Sequence, residues 1–74
     1  MERQELSALV KHTLRDIENH KLDDVVDYLL SQGVKRERDL RHFTVGMLQT
    51  HLDLVDASDL HEEWQNSYSK FSLF

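Results

Sequence analysis

The sequence has no cysteine, no proline and only two glycines in 74 residues. Without cysteine the chain can form no disulfide and can give no thiolate to zinc, and we expect an intracellular location, cytoplasmic or nuclear. Proline and glycine mark the turns of β-rich folds, so their scarcity favours helices. No apolar run approaches the ~20 residues that span a bilayer. Residues 1–12 lack the unbroken apolar core of a secretory signal.

Sequence motifs for catalysis are missing too. There is no glycine-rich loop to cradle a phosphate, and no serine lies in a nucleophile motif. None of the histidines forms an i, i+3 or i, i+4 pair, so a metal site at His51 with Asp53, or at His61 with Glu62 and Glu63, requires ligands from other elements. We therefore predict that the chain is not an enzyme, holds no metal or cofactor and takes no small-molecule substrate.

The strongest pattern that is present is a helical stripe in residues 22–32. Its apolar positions follow the i, i+3, i+4, i+7, i+8 spacing of a helix with one buried face, and they are Leu22, Val25, Val26, Leu29 and Leu30. Gly33 then offers a left-handed stop. With 39% hydrophobic and 31% charged residues the chain has the composition of an ordered domain. We interpret residues 1–74 as one domain, the N-terminal part of a longer protein.

Four further segments are predicted to be helical or turn-like, at residues 2–19, 36–42, 45–52 and 57–70. Asn19 is expected to close the first in a left-handed conformation. Thr44 is the expected N-cap of the third, in which Gly46 costs about 1 kcal/mol against alanine and permits a close backbone approach. Asp56 or Ser58 is the expected N-cap of the last. That helix has an apolar edge at Ala57, Leu60, Trp64, Tyr68 and Phe71. The prediction is an all-α compact bundle of four to five short helices.

Charge is unevenly distributed in a chain whose net charge is −5. A basic segment carries Lys35, Arg36, Arg38 and Arg41. An acidic segment carries Asp53, Asp56, Asp59, Glu62 and Glu63. We predict that both segments are interaction surfaces, together with Tyr28, an aromatic residue on the polar side of the second helix and of a type favoured at interfaces.

Nucleic-acid binding is the alternative function. Residues 44–64 have the layout of a helix-turn-helix, whose second helix enters the major groove. That helix would present Asp59, Glu62 and Glu63 to phosphates, and their repulsion argues against DNA. Contact with RNA or DNA through residues 35–41 stays open as an alternative.

The stretch from residue 22 to residue 68 resembles a sterile alpha motif (SAM) domain. DDVVDYLLSQGV is similar to the opening helix of that motif, and LRHFTVGMLQTHLDLVDASDLHEEW to its later segment. The apolar and capping places are occupied by Leu40, Phe43, Thr44, Leu48, Leu52, Leu54, Leu60 and Trp64. The resemblance implies a SAM-like helical bundle that pairs head to tail, a middle surface on one copy meeting the start of the last helix on the next. The matching places are the basic and acidic segments.

A second resemblance is to death-fold domains of the caspase-recruitment type, through LVKHTLRDIENHKLDDVVDYLLSQGV. Both resemblances imply a non-catalytic module for homotypic or heterotypic protein–protein assembly and oligomerisation, a scaffold function within a larger protein. The first helix, with a hinge at residues 19–22, can alternatively pack on another copy and give a swapped dimer. The predicted partners are therefore proteins, with nucleic acid disfavoured and no membrane.

Overall fold

The structure is a computed structural model that describes residues 2–72 and the side chains of residues 2–66. Over this range the chain forms α1 (Arg3–Thr13), α2 (Asn19–Ser31), a 3₁₀ helix (Glu37–His42), α3 (Val45–Leu48) and α4 (Leu54–Ser72). No strand occurs in residues 2–72. The predicted all-α class and the number of short helices are confirmed.

The core takes apolar side chains from all five helices. Those with no exposed surface include Leu6, Val10, Val25, Val26, Leu29, Leu40, Leu48, Ala57 and Leu60. Trp64 is 3% exposed and closes the core on the α4 side. No polar or charged side chain within residues 2–66 is buried, so the described core is held by apolar packing alone. None of the described helices is both long enough and apolar enough to cross a membrane.

Helix α1 ends six residues before its predicted end at Asn19. Leu14 leaves the helix at φ −103° and ψ 73°, and Ile17 donates its N–H to the Leu14 carbonyl in a turn. A helix continued to residue 19 would carry the chain about 9 Å further, past the core it has to return to. The turn keeps Leu14 buried and Ile17 half-buried against that core.

Helix α2 correspondingly starts at Asn19, three residues before the predicted start at Leu22. The expected left-handed Asn19 is wrong, because no non-glycine residue among those described has a positive φ. The segment predicted as a hinge is therefore the first turn of a helix. Packing of α2 against α1 accounts for the early start, because Leu22 is only 7% exposed and belongs to the core cluster.

The predicted stop at Gly33 is confirmed. Gly33 has φ +89° and donates its N–H to the Leu30 carbonyl at 3.1 Å, and Val34 donates to the Leu29 carbonyl at 3.4 Å. This pair of bonds is the Schellman motif, with its usual apolar contact supplied by buried Val34 and Leu29. The motif turns the chain into the basic segment with its carbonyls satisfied.

Helix α3 is shorter than predicted, since it ends at Leu48 instead of residue 52. Its N-cap is confirmed, because Thr44 Oγ1 accepts the Met47 N–H at 3.2 Å. The Thr50 hydroxyl donates to the Met47 carbonyl at 2.7 Å, a local bond that competes with the helical ladder. The following residues form turns that still bury Leu52. Gly46 makes no close backbone approach, since an added Cβ would meet only Thr44 Oγ1 at 3.9 Å.

Helix α4 begins at Leu54, three residues before the predicted start. The prediction that Asp56 or Ser58 caps it is wrong, because both lie inside the helix and the Asp53 carbonyl accepts the Ala57 N–H at 2.8 Å. Ala57, Leu60 and Trp64 are buried as predicted. The side chains of Tyr68 and Phe71 lie outside the described residues.

Candidate interaction surfaces

The 3₁₀ helix positions the basic segment. Val34, Leu40 and Phe43 are 6%, 0% and 5% exposed, and they hold this stretch against the core. Leu40 and Phe43 are three residues apart, which matches the three-residue turn of a 3₁₀ helix and explains why a 3₁₀ helix forms here. The residues between these anchors point to solvent. Exposed side chains are therefore found at Lys35, Arg36, Arg38 and Arg41.

Asp39 fixes the backbone of the basic segment. Its Oδ2 atom accepts the N–H groups of Lys35 and Arg36, each at 3.1 Å. These two bonds, first that from Lys35, lower the pKa of Asp39 below its ordinary value, with the charges of Arg36 and Arg38 adding to the effect. Asp39 stands at the third helical position after Arg36, where an acidic side chain reaches back to the N-cap N–H. That spacing is a signal that the sequence reasoning missed.

A concavity of about 320 Å³ opens in this surface. Its lining residues are Arg36, Arg38, Asp39, Arg41 and His42. Three members of the basic segment therefore converge on one depression, while Lys35 stands outside its lining. His42 also lines the concavity, although the sequence did not predict it as part of the surface. It lies one 3₁₀ turn after Asp39.

Side chains of helix α4 form hydrogen bonds with the backbone at the end of the 3₁₀ helix. Gln65 Nε2 donates to the Arg41 carbonyl at 2.6 Å. His61 Nδ1 lies 3.1 Å from the Phe43 carbonyl oxygen, which accepts from it in the Nδ1–H tautomer. His61 and Gln65 are one turn apart on α4, so one edge of this helix faces the basic segment.

The acidic segment is divided between two places. Asp53 lies 3.9 Å from Lys21 Nζ and so joins the start of α4 to α2. Asp56 and Asp59 border a second concavity of about 210 Å³, whose other lining residues are 13–17 at the turn after α1.

Glu62 and Glu63 lie further along α4, and both are exposed. The segment therefore runs from Asp53, just before α4, to Glu63 within it, and its members lie beside different parts of the chain.

The two segments lie on different sides of α4. The basic segment packs beside one side of this helix, and the acidic residues Asp56 and Asp59 belong to another. Successive residues of a helix are rotated by about 100°, so Asp59 is about 200° from His61, on nearly the opposite side of the axis. Asp56, Asp59 and Glu63 share one edge at i, i+3 and i+7. This edge faces the turn after α1, whereas His61 faces the 3₁₀ helix. No ion pair within 4 Å joins a basic-segment arginine to a carboxylate in the part of the chain with described side chains.

Tyr28 is half-buried and packs inside the chain. Its ring meets Phe43 edge to face at 6.0 Å between centroids and lies 4.5 Å from the ring of His51. The Nδ1–H of His51 donates to Asp24 at 2.7 Å. A role for Tyr28 in an interface stays a prediction, but two neighbours already cover its ring. We call Asp24, Tyr28 and His51 the α2 seam, which sequence spacing did not reveal because 27 residues separate Asp24 from His51.

The histidines considered as metal ligands are placed apart. His51 bonds to Asp24 and His61 to a backbone carbonyl. Among the residues with described placement, no group of three or more His, Cys, Asp or Glu side chains is arranged to hold a metal ion.

Comparison of the chain with known protein families, with curated proteins and with solved structures finds no match.

Proposed function

We propose that this domain is a non-catalytic protein–protein interaction module of a larger intracellular protein, and that it assembles head to tail. The observation that carries the proposal is the position of the two charged segments on nearly opposite edges of α4. The arginines at one edge make no ion pair within residues 2–66. Unlike charges on separate faces of one chain are complementary between copies.

The opposed edges favour a head-to-tail arrangement over a symmetric dimer. A two-fold interface uses the same surface on both copies, and segments on nearly opposite sides of α4 do not fit into one such surface. A two-fold contact at either segment therefore sets like charges near each other. A heterologous contact instead sets the basic segment of one copy against Asp56 and Asp59 of the next. Copies joined in this way form open chains or rings.

The overall charge supports a protein partner over a nucleic acid. The chain has net charge −5, and the exposed carboxylates of α4 would repel a phosphate backbone. A protein partner with an acidic surface can contact the basic segment alone. It does not have to approach the carboxylates of α4. The resemblances to SAM and death-fold domains point to the same use. RNA contact through residues 35–41 is the competing outcome.

The experiment is sedimentation velocity of the wild-type domain at low salt, about 20 mM, and at high salt, about 500 mM. At low salt we expect the average molecular mass to rise with protein concentration. At high salt we expect a lower average mass at the same concentration, because exposed charge pairs are screened. Arg38→Glu with Arg41→Glu should abolish assembly, and so should Asp56→Lys with Asp59→Lys. Mixing the two variants should restore a one-to-one complex, since each retains the face that the other lost.

Lys11→Glu is the matched control, because Lys11 is an exposed cation on α1 outside both segments. It should assemble like the wild type. A wild-type chain that stays monomeric at low salt and high concentration contradicts self-assembly. Assembly that ignores both sets of reversals points instead to a swapped α1.

A further inference from the structure

We propose that the concavity lined by Arg36, Arg38, Arg41 and His42 binds a small oligophosphate, a molecule with at least two linked phosphate groups. This proposal rests on the cations of the concavity and does not require the chain to self-associate.

The first support is the register of the arginines. In a 3₁₀ helix, residues three apart stand directly above one another. Leu40 is fully buried with Phe43 following at the same phase, so Arg38 and Arg41 form one exposed ridge and Asp39 and His42 form the next. Arg38 and Arg41 are then separated by about 6 Å along the helix axis. Two guanidinium groups in line can each engage one phosphate of a linked pair.

The second support is that the guanidinium donors are available. Arg36, Arg38 and Arg41 make no ion pair within 4 Å in the part of the chain whose side chains are described. Asp39 is the one carboxylate in the lining, and its Oδ2 already accepts two N–H groups. Arginine binds phosphate oxygens through two parallel N–H donors.

The third support is the size and setting of the concavity. About 320 Å³ accommodates a few linked phosphates. The backbone around it is fixed at one end by Asp39 and at the other by Gln65, so the donors lie on a defined frame. The net charge of −5 opposes the approach of anions, so we expect binding to depend on these local contacts and to weaken with salt.

The test is titration calorimetry with inorganic pyrophosphate at low ionic strength, with the protein at a concentration where sedimentation shows a monomer. We expect binding of one pyrophosphate per chain. Arg38→Gln with Arg41→Gln should weaken it by about tenfold or more, since two charged hydrogen-bonding groups are removed. Lys11→Gln should bind like the wild type. Circular dichroism of each variant establishes that it is folded.

Amide chemical shifts give a second readout that does not depend on variants. The shifts of residues 35–42 should move on titration and those of α1 should not. No binding, or equal weakening in Lys11→Gln, overturns the proposal. Separate arms use vesicles that contain a phosphoinositide and a short single-stranded RNA. Binding of either one without binding of pyrophosphate also overturns it, because the recognised feature is then an extended polyanion or a membrane surface. Since every arm uses monomer, a failure here leaves head-to-tail assembly untouched.

Discussion

Gly33 is the residue whose backbone the fold depends on most directly. Its φ of +89° is strained for a residue with a side chain, while an added Cβ would meet nothing within 4 Å. The cost of Gly33→Ala is therefore a backbone cost alone. We expect the free energy of unfolding to fall by about 1 kcal/mol or slightly more, measured by urea denaturation.

Gly46→Ala is the matched control, with the opposite expected sign. Gly46 lies in α3, and its added Cβ would meet only Thr44 Oγ1 at an ordinary 3.9 Å. Alanine should stabilise the chain by up to about 1 kcal/mol, because glycine loses more conformational freedom in a helix. A loss of stability in Gly46→Ala as large as that in Gly33→Ala would contradict the assignment of the Gly33 cost to its positive φ.

At the scale of the element, the α2 seam ties α2 to the loop between α3 and α4. Asp24 and His51 share a hydrogen bond of 2.7 Å, and the His51 ring lies on Tyr28. We expect His51→Ala to lower the free energy of unfolding by about 1 kcal/mol, through lost ring packing and a lost hydrogen bond. The ring proton shifts of Tyr28 should move in the same variant.

His12→Ala is the comparison for this prediction. His12 is exposed on α1, and the change should stay within about 0.5 kcal/mol of the wild type. If His51→Ala costs no more than His12→Ala, the seam contributes nothing to stability.

Apolar spacing predicted where helices exist, but not where they end. The stripe through Leu6, Val10, Leu14 and Ile17 continues in register beyond Thr13, so nothing local marks the turn that the structure places there. Helix ends are decided by where the chain must reverse to reach its packing partner. Local chemistry did predict an end where one residue type dominates, as at Gly33 and Thr44.

The charged segments can be predicted from the sequence because their residues are close together in it. The relative position of the two segments in space cannot be predicted in this way. It depends on the rotation of α4, which Ala57, Leu60 and Trp64 set by burial. The bond between Asp24 and His51 and the bond from Gln65 to the Arg41 carbonyl join residues at least 24 positions apart. No local pattern encodes such pairs.

For the whole molecule, two carboxylates contribute to the response to acid. The N–H groups of Lys35 and Arg36 lower the pKa of Asp39 from its ordinary value of 3.8. The pKa of Asp27 is lowered as well, mainly by the hydrogen bond that Arg3 donates to it. A lowered folded pKa stabilises the fold above the unfolded value, and this contribution is lost as the pH falls through the folded pKa. The melting temperature should therefore fall as the pH drops below about 4.

Asp39→Asn separates the two contributions. The variant should melt lower than the wild type above about pH 4, and the gap should narrow as the pH falls toward about 2, because the wild type then loses the same charge. Thermal melts at intervals across this range measure it. Asp59→Asn is the control, because the Asp59 carboxylate makes no hydrogen bond to an N–H in the described residues. Parallel curves for Asp39→Asn and the wild type would remove the role given to Asp39.

The unlike charges on the two sides of α4 also contribute to the electric dipole of the molecule across that helix. If copies assemble head to tail as proposed, this contribution exerts a torque on two approaching copies before any atoms touch, and the torque turns their unlike sides toward each other. At physiological ionic strength this torque acts only over the last ~8 Å of approach. Dilute buffer would lengthen that range, so the fraction of collisions that arrive correctly turned should itself depend on salt.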